Sequence, residues 1–307
     1  MSHFTTHHIF GQQVLKSLRG DSRRLIDMNR AAFCWGLQGA DLLYAHRLVN
    51  EYSPLPNYGR LIHGEKTNSL FTFLAQDLLN HRKCLDFDTL MAYYDGFCCH
   101  YALDSALHPY VFAKQKELEE SPRSALIPVS AHWYVEDGID HELSAHLDTV
   151  SLAVRDSYRT DRALRRSVAG IYSRVLWGVY ELKVRSGDIE ECFIEDHFRT
   201  DMIYRPDGWM KGYAAMDEAS LSRLADLKIL FADASPTDDD CLNLRKKGWR
   251  HHGEGRDYDL SVIEIMVKAR ETALALIDLS SEAIRRGNRH LISNMDFSRS
   301  FVDGKFR

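Results

Sequence analysis

The sequence has no long basic run, and its 307 residues carry a formal net charge of −5. That argues against a general nucleic-acid binder that works by phosphate neutralisation. No stretch reaches the ~18 apolar residues of a membrane span. Residues 1–20 lack the apolar core and small-residue cleavage site of a signal peptide. The six cysteines (Cys34, Cys84, Cys98, Cys99, Cys192 and Cys241) include no C-x-x-C pair. They sit in apolar, helical-looking segments and read as buried thiols in a reducing compartment. The expectation is a cytoplasmic protein. Alternating strand runs, internal repeats and low-complexity blocks are also missing.

What remains is helix. Hydrophobic residues make up 45% of the chain and charged residues 27%, ordinary for a soluble globular protein. Helical periodicity marks 70–79, 85–112, 132–155, 159–183, 218–231 and 260–284, with a helical pair over 21–50 that breaks near Gly36 and Gly39. Residues 53–59, 234–240 and 246–256 read as loops, and 114–128 as a charged, exposed connection. The expectation is an all-α bundle of about eight to ten helices. It forms a single helical domain over 1–307, with a metal-binding half at 1–155, supporting helices at 156–290 and a polar tail at 291–307.

The informative stretch is Gly96–Tyr110. His100, Asp104 and His108 stand at i, i+4 and i+8, so the first two share a helix face. His108 has drifted by roughly 80° at 3.6 residues per turn. The residues between are apolar or small, as in a buried helix. A carboxylate and two imidazoles buried there need partners, either a metal cluster or an ordinary polar network. Pro109 predicts that the helix ends or kinks at His108.

Other candidates fall in order along the chain. Thr5 or Thr6 is placed to cap a first helix containing His7 and His8, of which at most one can join a shared site. Asp41 follows a glycine-containing apolar run, either as a helix cap or as a carboxylate delivered into a site. His63 precedes Gly64 at a loop or helix start. His132 and Glu136 repeat the i, i+4 geometry. Asp140, His141, Glu142, Ser144, His146, the His251–His252 pair and Asp238–Asp240 read as surface. Trp35, Tyr44 and Phe71 read as core, with an aromatic cage for a quaternary amine as the sharper alternative.

His7, Asp41, His63, His100, Asp104, His108, His132 and Glu136 together offer nitrogen and carboxylate ligands without thiolate. That set suits zinc, with manganese or iron as alternatives, and is large enough for two or three ions. The ordered pieces are Thr6-His-His-Ile-Phe-Gly11, Gly36-Leu-Gln-Gly-Ala-Asp41, His63, the His100-x3-Asp104-x3-His108-Pro109 helix and His132-x3-Glu136. In this order they resemble the zinc-dependent phospholipase C family, related in fold to the S1/P1 nucleases. The resemblance implies an all-α bundle of the phospholipase C/P1 nuclease type with three zinc ions in a helical cleft. It implies one site from Asp41, His63, His100 and Asp104, a second from His108, His132 and Glu136, and a third from His7 with Asp104 bridging. Secreted members complete the third site with an N-terminal tryptophan. This chain begins Met-Ser-His, so His8, His3 or water is expected there, or weak occupancy.

The implied activity is phosphoester hydrolysis, a phospholipase C-like phosphodiesterase. Water bridging two zincs becomes hydroxide near neutral pH and attacks phosphorus in line. Asp41 is a candidate base that orients this water. The substrate is a small soluble phosphoester or a phospholipid, and nucleic acid is not expected. The alternatives are an S1/P1-like nuclease or phosphomonoesterase, and a non-catalytic helical binding protein. An HD-type phosphohydrolase needs adjacent His-Asp, a dipeptide this chain does not contain.

Overall fold

A helix that is apolar on every face can only be satisfied at the centre of a protein. The computed structural model shows this for Phe87–Glu119, where every residue from Leu90 to Ser105 is buried. The structure describes residues 4–44, 58–122, 130–147, 157–203 and 240–301. Within these, the helices are α1 (Phe4–Ser17), α2 (Gly20–Met28), α3 (Arg30–Leu37), α4 (Tyr58–Gly64), α5 (Thr67–Asn80) and α6 (Phe87–Glu119). They continue with α7 (Ala131–Leu147), α8 (Arg162–Tyr180), α9 (Ser186–Ile203) and α10 (Val262–Ser280). A 3-10 turn spans Gly39–Leu43, a π-helical turn Ser281–Arg285, and a second 3-10 turn Arg289–Asn294. The fold is all-α, as expected. The periodic segment 218–231 lies outside the described residues, as does 148–155 at the end of the helix expected from His132.

Helices α1, α3, α7 and α10 pack around α6. The closest approach is to α3, where two glycines meet. A Cβ on Gly36 would lie 2.1 Å from the Tyr93 carbonyl oxygen, and one on Gly96 2.2 Å from that of Phe33. The two backbones touch because neither residue has a side chain. This contact fixes the 3-10 turn, and with it Asp41, beside the middle of α6.

Several sequence expectations give way here. The expected end at His108 does not occur: α6 continues through Pro109 to Glu119. Tertiary packing outweighs the missing hydrogen bond, because Pro109, Tyr110 and Val111 are buried beyond it and the Tyr110 hydroxyl donates to Cys241 O at 2.8 Å. The expected connection from Lys114 is therefore helical to Glu119. The loop over 246–256 contains a short antiparallel hairpin, β1 (Trp249–Arg250) with β2 (Asp257–Tyr258). His251 within it is buried rather than on the surface, its Nδ1 accepting the Gly253 and Glu254 backbone N–H groups. Cys84 is exposed while the other five thiols are buried, and all six are free. The segment after Arg285, polar in sequence, sends Ile292, Met295, Phe297 and Phe301 into the core. Among the described residues no helix is long and apolar enough to cross a membrane.

Gly96→Ala forces apart the closest backbone contact in the protein. It should lower stability by about 3 kcal/mol through overpacking, read as a lower denaturant midpoint at unchanged helical circular dichroism.

Candidate metal centre

Eight side chains from five elements meet beside the middle of α6. α1 brings His7, the 3-10 turn Asp41, α4 His63 and α7 His132 and Glu136, while α6 itself carries His100, Asp104 and His108. Asp104 lies between them. Its Oδ1 is 3.0 Å from His7 Nε2, and its Oδ2 is 3.2 Å from His100 Nε2 and 3.9 Å from both His63 Nε2 and His108 Nδ1. His63 Nε2 also lies 3.2 Å from Asp41 Oδ1. Glu136 Oε1 lies 2.9 Å from His132 Nε2 and 3.5 Å from His108 Nε2. Three groups have donor atoms close enough to share one ion: His7 with Asp41 and His100, His63 with His100 and Asp104, and His108 with His132 and Glu136.

The outer ring nitrogens explain why the inner ones converge. His63 Nδ1 donates to Gly59 O at 2.7 Å, His100 Nδ1 to Leu37 O at 3.1 Å and His108 Nδ1 to Phe301 O at 2.5 Å. His132 Nδ1 reaches Gln115 Oε1 at 3.0 Å. A carbonyl only accepts, so these Nδ1 atoms carry protons, and in the neutral form of each ring the lone pair of Nε2 turns inward. His63 Nε2 and His100 Nε2 then face each other at 3.3 Å. Two lone pairs at that distance, next to carboxylate oxygens, repel unless a proton or a metal cation stands among them. This orientation by an outer hydrogen bond is how metal-binding histidines are commonly held. The donor set therefore fits the zinc ions that the sequence implies.

The electrostatics differ from ring to ring, His100 being lowered while His63 and His108 are raised. Burial pulls the His100 pKa down to about 4, against the raising pull of Asp104. Its lone pair is thus available at neutral pH. For His63 burial also acts downward, but the Asp41 and Asp104 carboxylates and the Gly59 carbonyl leave it raised. His108 is raised to about 9, since Asp104, Glu136 and the Phe301 carbonyl outweigh burial. Burial alone would raise Asp104, but the surrounding imidazoles hold it well below the usual carboxylate range. Asp41 is lowered in the same way by His63 and His100.

A family model described as zinc dependent phospholipase C matches residues 6–200, well over half of the chain. The chain belongs to the zinc-dependent phospholipase C family. No curated protein and no solved structure matches it. The match ends before the hairpin, α10 and the segment carrying Phe301, so the family's own region includes all eight clustered side chains but not the carbonyl that holds His108.

Asp41 lies within its 3-10 turn rather than at the cap position, which Gln38 holds, and its carboxylate faces His63. Gly39, at φ +51°, leaves room for the His100 ring, which a Cβ there would meet at 2.6 Å. Of the adjacent pair only His7 joins the cluster. His8 is turned toward Tyr158, with ring centroids 5.8 Å apart, and its pKa is lowered to about 4 by burial and by Arg30. His3 lies outside the described residues. The start of α1 is held by Asp140 of α7 rather than by a threonine, since Asp140 accepts the Thr5 and Thr6 N–H groups and the Thr6 hydroxyl. Asp140, expected as solvated surface, thereby positions His7. Glu142 likewise accepts the N–H groups of Cys241 and Leu242. Trp35 and Phe71 are core, whereas Tyr44 is half-buried with its ring 5.4 Å from that of His63. Sequence reasoning missed Gln115 and the carbonyls of Leu37, Gly59 and Phe301. Only Gly59 carried a signal, four residues before His63 on one helix.

Gln115→Leu removes the acceptor that orients His132. Zinc affinity should fall by about 10–100-fold, measured by chelator competition, with the melting temperature of the metal-free protein unchanged.

Proposed function

We propose that this protein is a zinc-dependent phosphoester hydrolase of the phospholipase C type, cleaving a phosphodiester. The observation that carries the reading is the inward convergence of buried imidazole Nε2 atoms on Asp104, within a family defined by zinc dependence. Asp41, His63, His100 and Asp104 would hold one ion, His108, His132 and Glu136 a second, and His7 with Asp104 a third. An imidazole nitrogen has a single lone pair, so His100 serves one ion although its position suits two groups. Zinc bound there supplies Lewis acidity, which lowers the pKa of water and neutralises phosphoryl oxygens.

The chain's own side chains then divide the work. Asp41 is the best-placed base. Its side chain is 14% exposed, against 5% for Asp104 and 1% for Glu136, so it is the carboxylate nearest to arriving water and substrate. Its lowered pKa keeps it ionised at neutral pH, ready to orient the attacking water and take a proton from it. Asp104 and Glu136 are enclosed and hold imidazoles in place. The aromatic wall of Phe97, Tyr101 and Phe301 behind His63 and His100 keeps bulk water from that side of the cluster. The substrate is a small soluble phosphoester or a phospholipid headgroup. Six free thiols support a reducing compartment and hence the cytoplasm.

His100→Ala and Asp104→Asn should each lower zinc content and reduce phosphodiester turnover on the order of a thousandfold, the several kcal/mol that metal catalysis contributes. Metal analysis and a phosphocholine-ester assay on the same preparations check both. Asp41→Asn should lose on the order of a hundredfold in kcat while losing proportionately less zinc. Near-normal turnover after metal removal ends the hydrolase reading. Cleavage of single-stranded DNA or RNA in preference to phosphocholine esters moves the enzyme to the nuclease branch.

A further inference from the structure

On the far side of α6 from the clustered histidines lies a second concavity of about 550 Å³. Tyr101, Ala102, Ser105 and Ala106 line it, and they stand about 130° round the helix from His100, Asp104 and His108. The helix itself separates the two regions. The volume falls within the range of small-molecule sites, roughly 300–1,000 Å³. It exists because small residues face each other across two packed helices, Ala102 and Ala106 on α6 and Ala269 and Ala275 on α10. Leu276 and Leu279 extend the apolar floor, and Trp249 and Tyr258 of the hairpin stack at 5.3 Å to close one end.

The charges around this trough are not balanced equally. Glu254 accepts the Tyr258 hydroxyl at 2.5 Å and lies 3.5 Å from Arg299 Nη1 and 3.8 Å from His251 Nε2. Asp296 accepts the Ser298 N–H at 2.9 Å. Lys268 lies in the same lining, and among the described residues it forms no ion pair or hydrogen bond. His251 adds a donor. Both N–H groups at its Nδ1 need a lone pair there, so the neutral ring carries its proton on Nε2, toward Glu254. Glu254 is paired with Arg299, Asp296 is held by a backbone N–H, and the Lys268 ammonium has neither kind of partner among the described residues.

We propose that this trough is a ligand site, separate from the metal centre, for an amphipathic anion: an alkyl chain along the alanine and leucine floor with a carboxylate or phosphate head at Lys268. The apolar floor supplies affinity in proportion to buried chain, and the ammonium selects an anionic head over a neutral one. The site does not depend on the hydrolase reading, because no group that would hold zinc lines it.

The test is titration calorimetry on the full-length, zinc-loaded protein with octanoate, octyl phosphate, octanol and butyrate. Octanoate or octyl phosphate should bind, and whichever binds tighter identifies a free acid or a lipid phosphate as the source. Butyrate and octanol should bind more weakly. Lys268→Glu, at an exposed position, should weaken octanoate by at least about fivefold and leave octanol unchanged. Ala275→Trp, also exposed, should fill the trough and remove binding of both anions. Zinc content and melting temperature should match the parent in both variants. Absence of octanoate and octyl phosphate binding overturns the proposal, and so does octanol binding as tight as octanoate. Binding that survives Ala275→Trp also overturns it, since it assigns the anion to the metal centre instead.

Discussion

The structure depends on committing the outer nitrogen of each ring before the inner one is used. Three backbone carbonyls, those of Leu37, Gly59 and Phe301, accept Nδ1 protons from His100, His63 and His108. A backbone carbonyl is fixed by its own helix or turn and cannot donate. The tautomer is therefore decided by the fold, and the lone pairs of Nε2 are driven together against carboxylates. In an apolar core such an arrangement would be strongly unfavourable by itself. The carboxylates draw protons onto His63 and His108 and so hold the cluster together without an ion, and a cation among the Nε2 atoms would turn the remaining repulsion into attraction.

That requirement gives α6 its composition. A helix carrying inward-facing imidazoles must be enclosed, and an enclosed helix must be approached closely by its neighbours. The Gly36–Gly96 contact brings α3 against α6 at backbone distance and thereby places Leu37 O beneath His100 and Asp41 above it. The last described segment closes the other side. Phe301 packs its ring 5.0 Å from His63 and 5.8 Å from His100, while its carbonyl holds His108. Two residues earlier, the Arg299 N–H donates to the Tyr101 hydroxyl. Tyr101 lines the trough behind α6, and its ring meets that of Phe301 at 5.4 Å. The histidine–carboxylate cluster and the trough thus share one structural wall, although no side chain lines both.

Much of this was legible from local spacing. The i, i+4 pairs on α6 and α7, the buried character of α6 and the all-α class follow from periodicity and from the cost of burying charge. Of the adjacent pair His7–His8, only one faces the cluster, as two neighbouring helical residues must diverge. The parts that were not legible are long-range. Nothing near Phe301 in sequence indicates that a polar-looking tail ends against His63. Pro109 is a local signal for a helix end that tertiary packing overrode, since buried residues on both sides carry α6 past it. Asp140 looked like solvated surface because its partners, the first N–H groups of α1, are more than 130 residues away.

The same distinction bears on how the cluster is assembled. His100, Asp104 and His108 are carried by one helix, although the rings of His100 and His108 are turned by Leu37 O and Phe301 O. His7 and His63 come from α1 and α4, short elements whose positions rest on Asp140, on Gly59 and on the aromatic wall that Phe301 completes. The His108–His132–Glu136 group draws on two helices that pack directly on each other, with Gln115 of α6 holding His132 from behind. That group still relies on one distant contact, the Phe301 carbonyl that holds His108 from 193 residues away. The group around Asp41 needs α3, α4, α6 and the 298–301 segment together. Its geometry therefore reports on the integrity of the whole bundle, and it is also the group with the most solvent-facing carboxylate. The more exposed side of the cluster is thus the side most dependent on long-range packing.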